Sequence, residues 1–184
     1  MFYKETLKGQ YVQLRSVSDS KDDIDFTVKI RQNKEKTKYL HVVDADEEKQ
    51  TEWIHKQQNA EGDYFFIVET NKGKKVGTVG IYDIDTEEKI GHLGRLLMVG
   101  NPFLTFEGVL LSMHFAYYTL NLEKLFGDVH VDNISSLNIS EAVGFHFEDP
   151  CYDSQLDRWV KYGTAYKSEF PKYEQEIKNL IYRD

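Results

Sequence analysis

Apolar and polar positions follow two different rhythms along the chain. In YVQLRSV (11–17) they alternate, which sets Val12 and Leu14 on one face of a half-buried strand. Ser18 and Asp19 then offer N-caps to a helix carrying Ile24, Val28 and Ile30. DADEEKQTEWIHKQQN (44–59) predicts a second helix, capped by Asp44 or Asp46, with acids crowding its positive end. GDYFFIVET (62–70) and KKVGTVGIYDID (74–85) read as strands, and the NKGK turn between them has glycine where positive φ is needed. KIGHLGRLLMVG (89–100) is a third strand, after the polar DTEE. NPFLTFEGVLLSMHFAYYTL (101–120) switches to a loop that opens into an amphipathic helix, and Lys124 to Val131 is again a strand. NISSLNISEAV (133–143) is a short helix capped by Asn133, or by Asp132 before it, and Gly144 ends it. DRWVKYGTAY (157–166) is a last strand, and Ser168 onward is a C-terminal helix.

A three-stranded meander followed by two strand–helix units predicts an α/β (α+β) chain. Its central sheet is mixed and mostly antiparallel, with about seven strands and helices on both faces. No linker, repeat or low-complexity tract interrupts it. Residues 1–184 therefore read as a single domain, with 168–184 as its C-terminal helix. In such sheets ligands favour the carboxyl ends of strands where neighbours diverge, especially at a helix N-terminus. Leu96 to Glu107 sits at such a place, and the first turn of a helix carries unpaired N–H groups that suit a phosphate.

Charge and composition narrow the partners. A net charge of −8 and a pI near 5.3 argue against nucleic acid, and no apolar run reaches the roughly 18 residues of a membrane span. The N-terminal MFYKETLKGQ lacks the apolar core of a signal peptide. The single Cys151 leaves no intrachain disulfide framework, which fits a reducing cytoplasm. His41, His55, His92, His114, His130 and His146 are scattered without metal-ligand spacing, so no metal is expected.

Three stretches carry a resemblance to the GNAT (GCN-related) N-acetyltransferase superfamily, which transfers acetyl from acetyl-CoA to amines. YFFIVETNKGKKVGTVGIYDID resembles the family's second and third strands and their hairpin. HLGRLLMVGNP resembles its fourth strand, which splays from the fifth and lets pantetheine lie in the gap. LNLEKLFGDVHVDNISSLNISEAVGF resembles its closing motif, with Asn133, Ser136 and Gly144-Phe145 in register. That last spacing is similar to the branch holding ribosomal-protein N-terminal, spermidine and sugar-nucleotide amine acetyltransferases.

The resemblance implies a GNAT-like fold, acetyl-CoA as co-substrate, and a primary amine acceptor: a small amine, an amino sugar or a protein N-terminus. It aligns TFEGVL with the family's Arg/Gln-x-x-Gly-x-Gly/Ala loop, of which Gly108 alone survives. The pyrophosphate would then meet Thr105, Phe106, Glu107, Gly108 and Val109, with Glu107 tolerated by the helix dipole. Backbone at Leu97, Met98 and Val99, where the family has a bulge, would contact the cofactor and polarise the thioester carbonyl, and Asn133 would cap its helix or touch the cofactor. His92, where many members carry Glu, would accept the amine's proton; an unperturbed imidazole titrates near pH ~6.5. Ser136 would hydrogen-bond the leaving sulfur, since the usual Tyr position holds Ser140. On the acceptor side stand Arg31, in an Arg-Gln-Asn run similar to a pair in sugar-nucleotide enzymes, and Asp83, with Asp85 beside it, as a base or anchor for a cationic substrate. The aromatic C-terminal segment around Phe170 and Tyr173 is a candidate surface for a homodimer. The alternative is a non-catalytic GNAT-fold binding or regulatory module, favoured by the degraded loop. A third reading is an unrelated α/β protein with a coincidental Gly-Phe motif.

Overall fold

A computed structural model describes residues 1–39 and 46–182. β1 (Leu7–Lys8) pairs with β2 (Val12–Ser16), where alternation buries Val12 and Leu14 completely. β3 (Tyr64–Thr70), β4 (Lys75–Asp85) and β5 (Ile90–Met98) continue an antiparallel meander. β6 (Lys124–His130) joins β5 in parallel. β7 (His146–Phe147) and β8 (Cys151–Asp153) each pair with β9 (Arg158–Tyr166), which lies antiparallel to β6. Among the described residues the sheet therefore has nine strands rather than about seven. β1, β7 and β8 are two or three residues long, too short to show a period.

Helices cover the sheet in two groups. α1 (Lys21–Arg31), α2 (Lys34–Thr37) and α3 (Glu47–Asn59) lie between β2 and β3 in the chain, whereas α4 (Pro102–His114), α5 (Ile134–Ala142) and α6 (Phe170–Ile181) follow β5. β3 is apolar from Tyr64 to Val68 because both its faces are covered there. Phe65 and Ile67 pack with Val17, Ile24 and Ile54 under α1 and α3, while Phe66 and Val68 join the larger core with Val109, Met113 and Ile177 under α4 and α6. α4 runs directly into a π-helical turn, Phe115–Thr119. No helix among the described residues is long and apolar enough to cross a membrane.

Helix ends are set by hydrogen bonding that sequence ranks poorly. Ser20, not Ser18 or Asp19, caps α1 by accepting from the Asp23 N–H, and Ser18 donates its hydroxyl to the Asp23 carboxylate instead. Asp46 caps α3, while the alternative Asp44 lies outside the described residues. Asn133 caps α5, accepting from the Ser136 N–H at 3.2 Å. α6 begins at Phe170, after a turn over 167–169.

Strand pairing around β5 is irregular in three places, one of them between Tyr82 and Asp85 of β4, where the β4–β5 register shifts. β5 and β6 share only three registered pairs, Ile90–Lys124, Gly91–Leu125 and His92–Phe126, after which they part while β6 stays paired to β9 as far as His130. The β4–β5 ladder also shifts between Thr78–Leu97 and Gly80–Gly94, inserting one residue into β5. Arg95 lies in that insertion with φ +54°, and its carbonyl accepts from the Thr78 hydroxyl at 2.9 Å. The bulge thus precedes the expected Leu97–Val99 position, because Leu97 and Met98 pair regularly with Thr78 and Gly77.

Candidate active site

Where β5 and β6 part, the structure opens a cleft of about 590 Å³, walled by β5, β6 and α5 and reaching the start of α4. His92, the last residue of β5 paired to β6, stands at the fork. Asp128 lies two residues beyond Phe126 on the same face of β6, and its Oδ1 is 3.3 Å from His92 Nε2. The other carboxylate oxygen accepts from Arg158 Nη2 at 2.7 Å. The His92 hydrogen bond, with Arg158 assisting against burial, holds the Asp128 carboxyl below its usual range, so an anion faces the imidazole. Tyr82 stacks on the His92 ring at 4.7 Å, and its hydroxyl would collide with any Cβ at Gly94. Burial, opposed by Arg95, pushes the Tyr82 hydroxyl up to about 12, so it stays neutral. Arg95 lies 4.0 Å from the Tyr82 ring centroid and is held bidentately by Asp63 at 2.5 and 2.9 Å.

The opposite wall is α5. Ser136 and Ser140, one turn apart, line the cleft with Ile139 and Val143 because their spacing puts them on one helix face. Asn133 also lines it while capping the helix. Just after β5, the Val99 amide donates to Val76 O at 2.8 Å, so Val99 belongs to the β4 side and does not line the cleft. Strand alternation turns the Met98 amide the other way, toward the side that β6 has left, and Leu97 and Met98 both line the opening.

The start of α4 differs most from expectation. Asn101 is its N-cap, accepting from the Phe103 N–H at 2.9 Å, and the helix begins at Pro102. The amides of Phe106, Glu107, Gly108 and Val109 therefore lie inside the helix, directed at carbonyls one turn earlier, and cannot form the expected cradle. Thr105 and Val109 still line the cleft, as do Gly100 and Pro102. Phe106 packs against the core and Gly108 against Val68. Glu107 is buried on the far side, where its carboxylate accepts from the backbone N–H groups of Gln10, Tyr11 and Val12 at 2.6–2.8 Å and from the Tyr182 hydroxyl. Arg31 and Asp83 also lie outside the cleft lining. Arg31 rests over the Trp53 ring at 5.6 Å, its guanidinium pKa lowered by burial and by Arg95, and Asp83 sits at a φ +50° kink of β4.

Sequence reasoning gives no sign of Asp128, Tyr82 or Arg158 at this site. Only the register of β4, β5, β6 and β9 brings them beside His92, and no local motif announces it.

A family model described as an acetyltransferase (GNAT) domain matches residues 12–146, most of the chain. The chain belongs to the GNAT acetyltransferase family. No curated protein matches it in sequence. Among solved structures, this GNAT chain is similar to a GCN5-related N-acetyltransferase from Brucella melitensis, with TM-score 0.81 and 18% identity over 97% of this chain and 86% of that one. It is also similar to the spermidine N-acetyltransferase of Vibrio cholerae in complex with CoA and spermine, with TM-score 0.77 and 17% identity over 89% and 99% of the two chains. A third is apo FdhC, a nucleotide-linked sugar GNAT, with TM-score 0.78 and 22% identity over 98% and 99%. At these identities the likeness is one of fold.

Proposed function

We propose that this GNAT chain is an acetyl-CoA-dependent N-acetyltransferase acting on a primary amine, with the His92–Asp128 pair at the fork as the observation that carries the reading. Acetyl-CoA would supply the acyl group as a thioester. The gap suits an extended cofactor arm, since β6 withdraws from β5 and leaves the Met98 amide facing open space. Leu97, Met98, Thr105, Val109 and Asn133 would hold it. His92 takes the proton that otherwise occupies the amine's lone pair, and Asp128 stabilises the imidazolium so formed. The Met98 N–H is the donor for oxyanion charge, and the Ser136 hydroxyl is the hydrogen-bond donor for the departing sulfur.

Calorimetric titration with acetyl-CoA, using free CoA for comparison, tests the reading, followed by an acceptor screen of polyamines, amino-sugar nucleotides and N-terminal peptides. Micromolar binding and acetylation of one class are expected. A second reading, a non-catalytic GNAT-fold module, is favoured by the start of α4, where Asn101 already occupies the Phe103 amide. Absence of binding up to millimolar acetyl-CoA would replace the first reading with this one.

A further inference from the structure

Arg158 stands behind His92 without touching it, and its three donor groups are used unequally. Nη2 donates to Asp128 Oδ2 at 2.7 Å, Nη1 donates to the Tyr39 carbonyl at 2.8 Å, and Nε is buried with no partner among the described residues. A guanidinium beside a carboxylate prefers a two-pronged contact. Here that contact is incomplete, because the second oxygen of Asp128 is given to His92. Tyr39 meanwhile packs its ring on His130 at 5.0 Å and lines the cleft with Glu35. One carboxylate is thus shared by an imidazole and a guanidinium, and the guanidinium's free arm is tied to the segment at the cleft mouth.

We propose that Arg158 is a positioning residue that couples the seating of the segment 34–39 to the basicity of His92, by setting how much of Asp128 the imidazole can use. The proposal rests on the reading of His92 as the base. With the Tyr39 carbonyl in place, Arg158 is held to one oxygen of Asp128 and His92 keeps the other. When the segment withdraws, Nε and Nη2 are free to take both oxygens, and His92 loses its anion. An imidazole beside an available carboxylate binds its proton more tightly than one beside a neutralised pair. An acceptor that seats the segment therefore primes the base at the moment it arrives. The other charged or titratable groups around His92 are Tyr82 with Asp83 on β4, Arg95 with Asp63 behind that ring, His130 on β6, Tyr162 on β9 and Glu35 on α2. None of them bridges Asp128 to the segment as Arg158 does.

The test is a histidine NMR titration of the full chain, with the His92 Cε1–H signal assigned by its loss in His92→Gln. Asp128→Asn is expected to lower the His92 midpoint by about one pH unit, and Arg158→Met to raise it by a similar amount, since the first removes the anion and the second its competitor. Tyr39→Gly, which loosens the segment, lowers the midpoint in the otherwise unchanged protein and leaves it unmoved in an Arg158→Met background. Arg158→Lys, which keeps the charge without the fork, serves if Arg158→Met does not fold; its midpoint stays at or above that of the parent. Midpoints that do not move, that move together in Asp128→Asn and Arg158→Met, or that fall in Arg158→Lys would overturn the proposal. Because the titration needs no turnover, opposite shifts without any acetyl transfer would reject the enzymatic reading and keep the coupling. In an active enzyme, Arg158→Met also raises the acceptor KM about tenfold, and the acid limb of its pH profile follows the NMR midpoint.

Discussion

Ser136 is a weak acid, so its proposed part is a hydrogen bond to sulfur that counts most as negative charge develops there. Ser136→Ala should therefore lower kcat about tenfold, equivalent to ~1.4 kcal/mol of transition-state stabilisation, with the acetyl-CoA Kd changed less than twofold. Steady-state kinetics set beside calorimetry check this, and equal losses in both would assign Ser136 to cofactor binding instead. For His92 the discriminating variable is pH. His92→Gln should depress kcat/KM most where the amine is protonated and least above the amine's own pKa, whereas a loss uniform with pH would mark a packing role. Both residues line the cleft, and sequence can nominate them because residue type and local spacing carry the family resemblance. Asp128 is not nominated in this way, since its partner is 36 positions away in sequence and meets it only through strand register. Glu107 shows the opposite error. Its place near a helix start suggests a phosphate neighbour, but its side chain leaves the other face of α4 and satisfies three backbone amides at residues 10–12.

At the scale of elements, two buried carboxylates fasten helices to the sheet. Asp23 joins α1 to β2 and β4 through Arg15 at 2.7 and 2.8 Å and Lys75 at 2.6 Å. Burial opposes its ionisation, but Arg15, Lys75 and Ser18 outweigh that and hold the carboxyl well below the ordinary carboxylate range. A depressed folded-state pKa contributes stability above the unfolded value near ~3.9, and that contribution drains away as pH falls from there toward the folded value. Asp23→Asn should cost on the order of 3 kcal/mol at pH 7 by urea denaturation, with the gap to the parent narrowing below about pH 4. A gap constant from pH 7 to pH 3 would show that the charge is not what matters. Glu107→Gln is expected to lower Tm by roughly 5–10 °C, because one amide oxygen cannot replace two carboxylate oxygens facing four donors, and its NH₂ group would meet an N–H. Long elements are legible because a period needs several residues to declare itself. The two- and three-residue strands have none, and the caps at Ser20 and Asn101 are settled by competition among neighbouring polar residues.

At the scale of the whole molecule, the site exists because the sheet is one piece at its base and two at its mouth. Three registered pairs join β5 to β6, the His92–Asp128 contact lies just past them, and further on the two strands have no registered pair. No stretch of sequence encodes that divergence; it arises because β6 is drawn to β9 for its full length while β5 stays with β4. A ligand spanning the gap must stabilise both sides together, whereas one resting only on the start of α4 would stabilise that side alone. Acetyl-CoA at about 100 times its Kd should add ~2.7 kcal/mol to global stability. By hydrogen exchange it should slow amides on β5 beyond the bulge and in the first turns of both α4 and α5. Protection confined to α4 would place the cofactor outside the fork and remove His92 and Ser136 from its reach. Protection of both walls would make the parting of β5 and β6 the structural basis of binding, despite the nearly glycine-free start of α4.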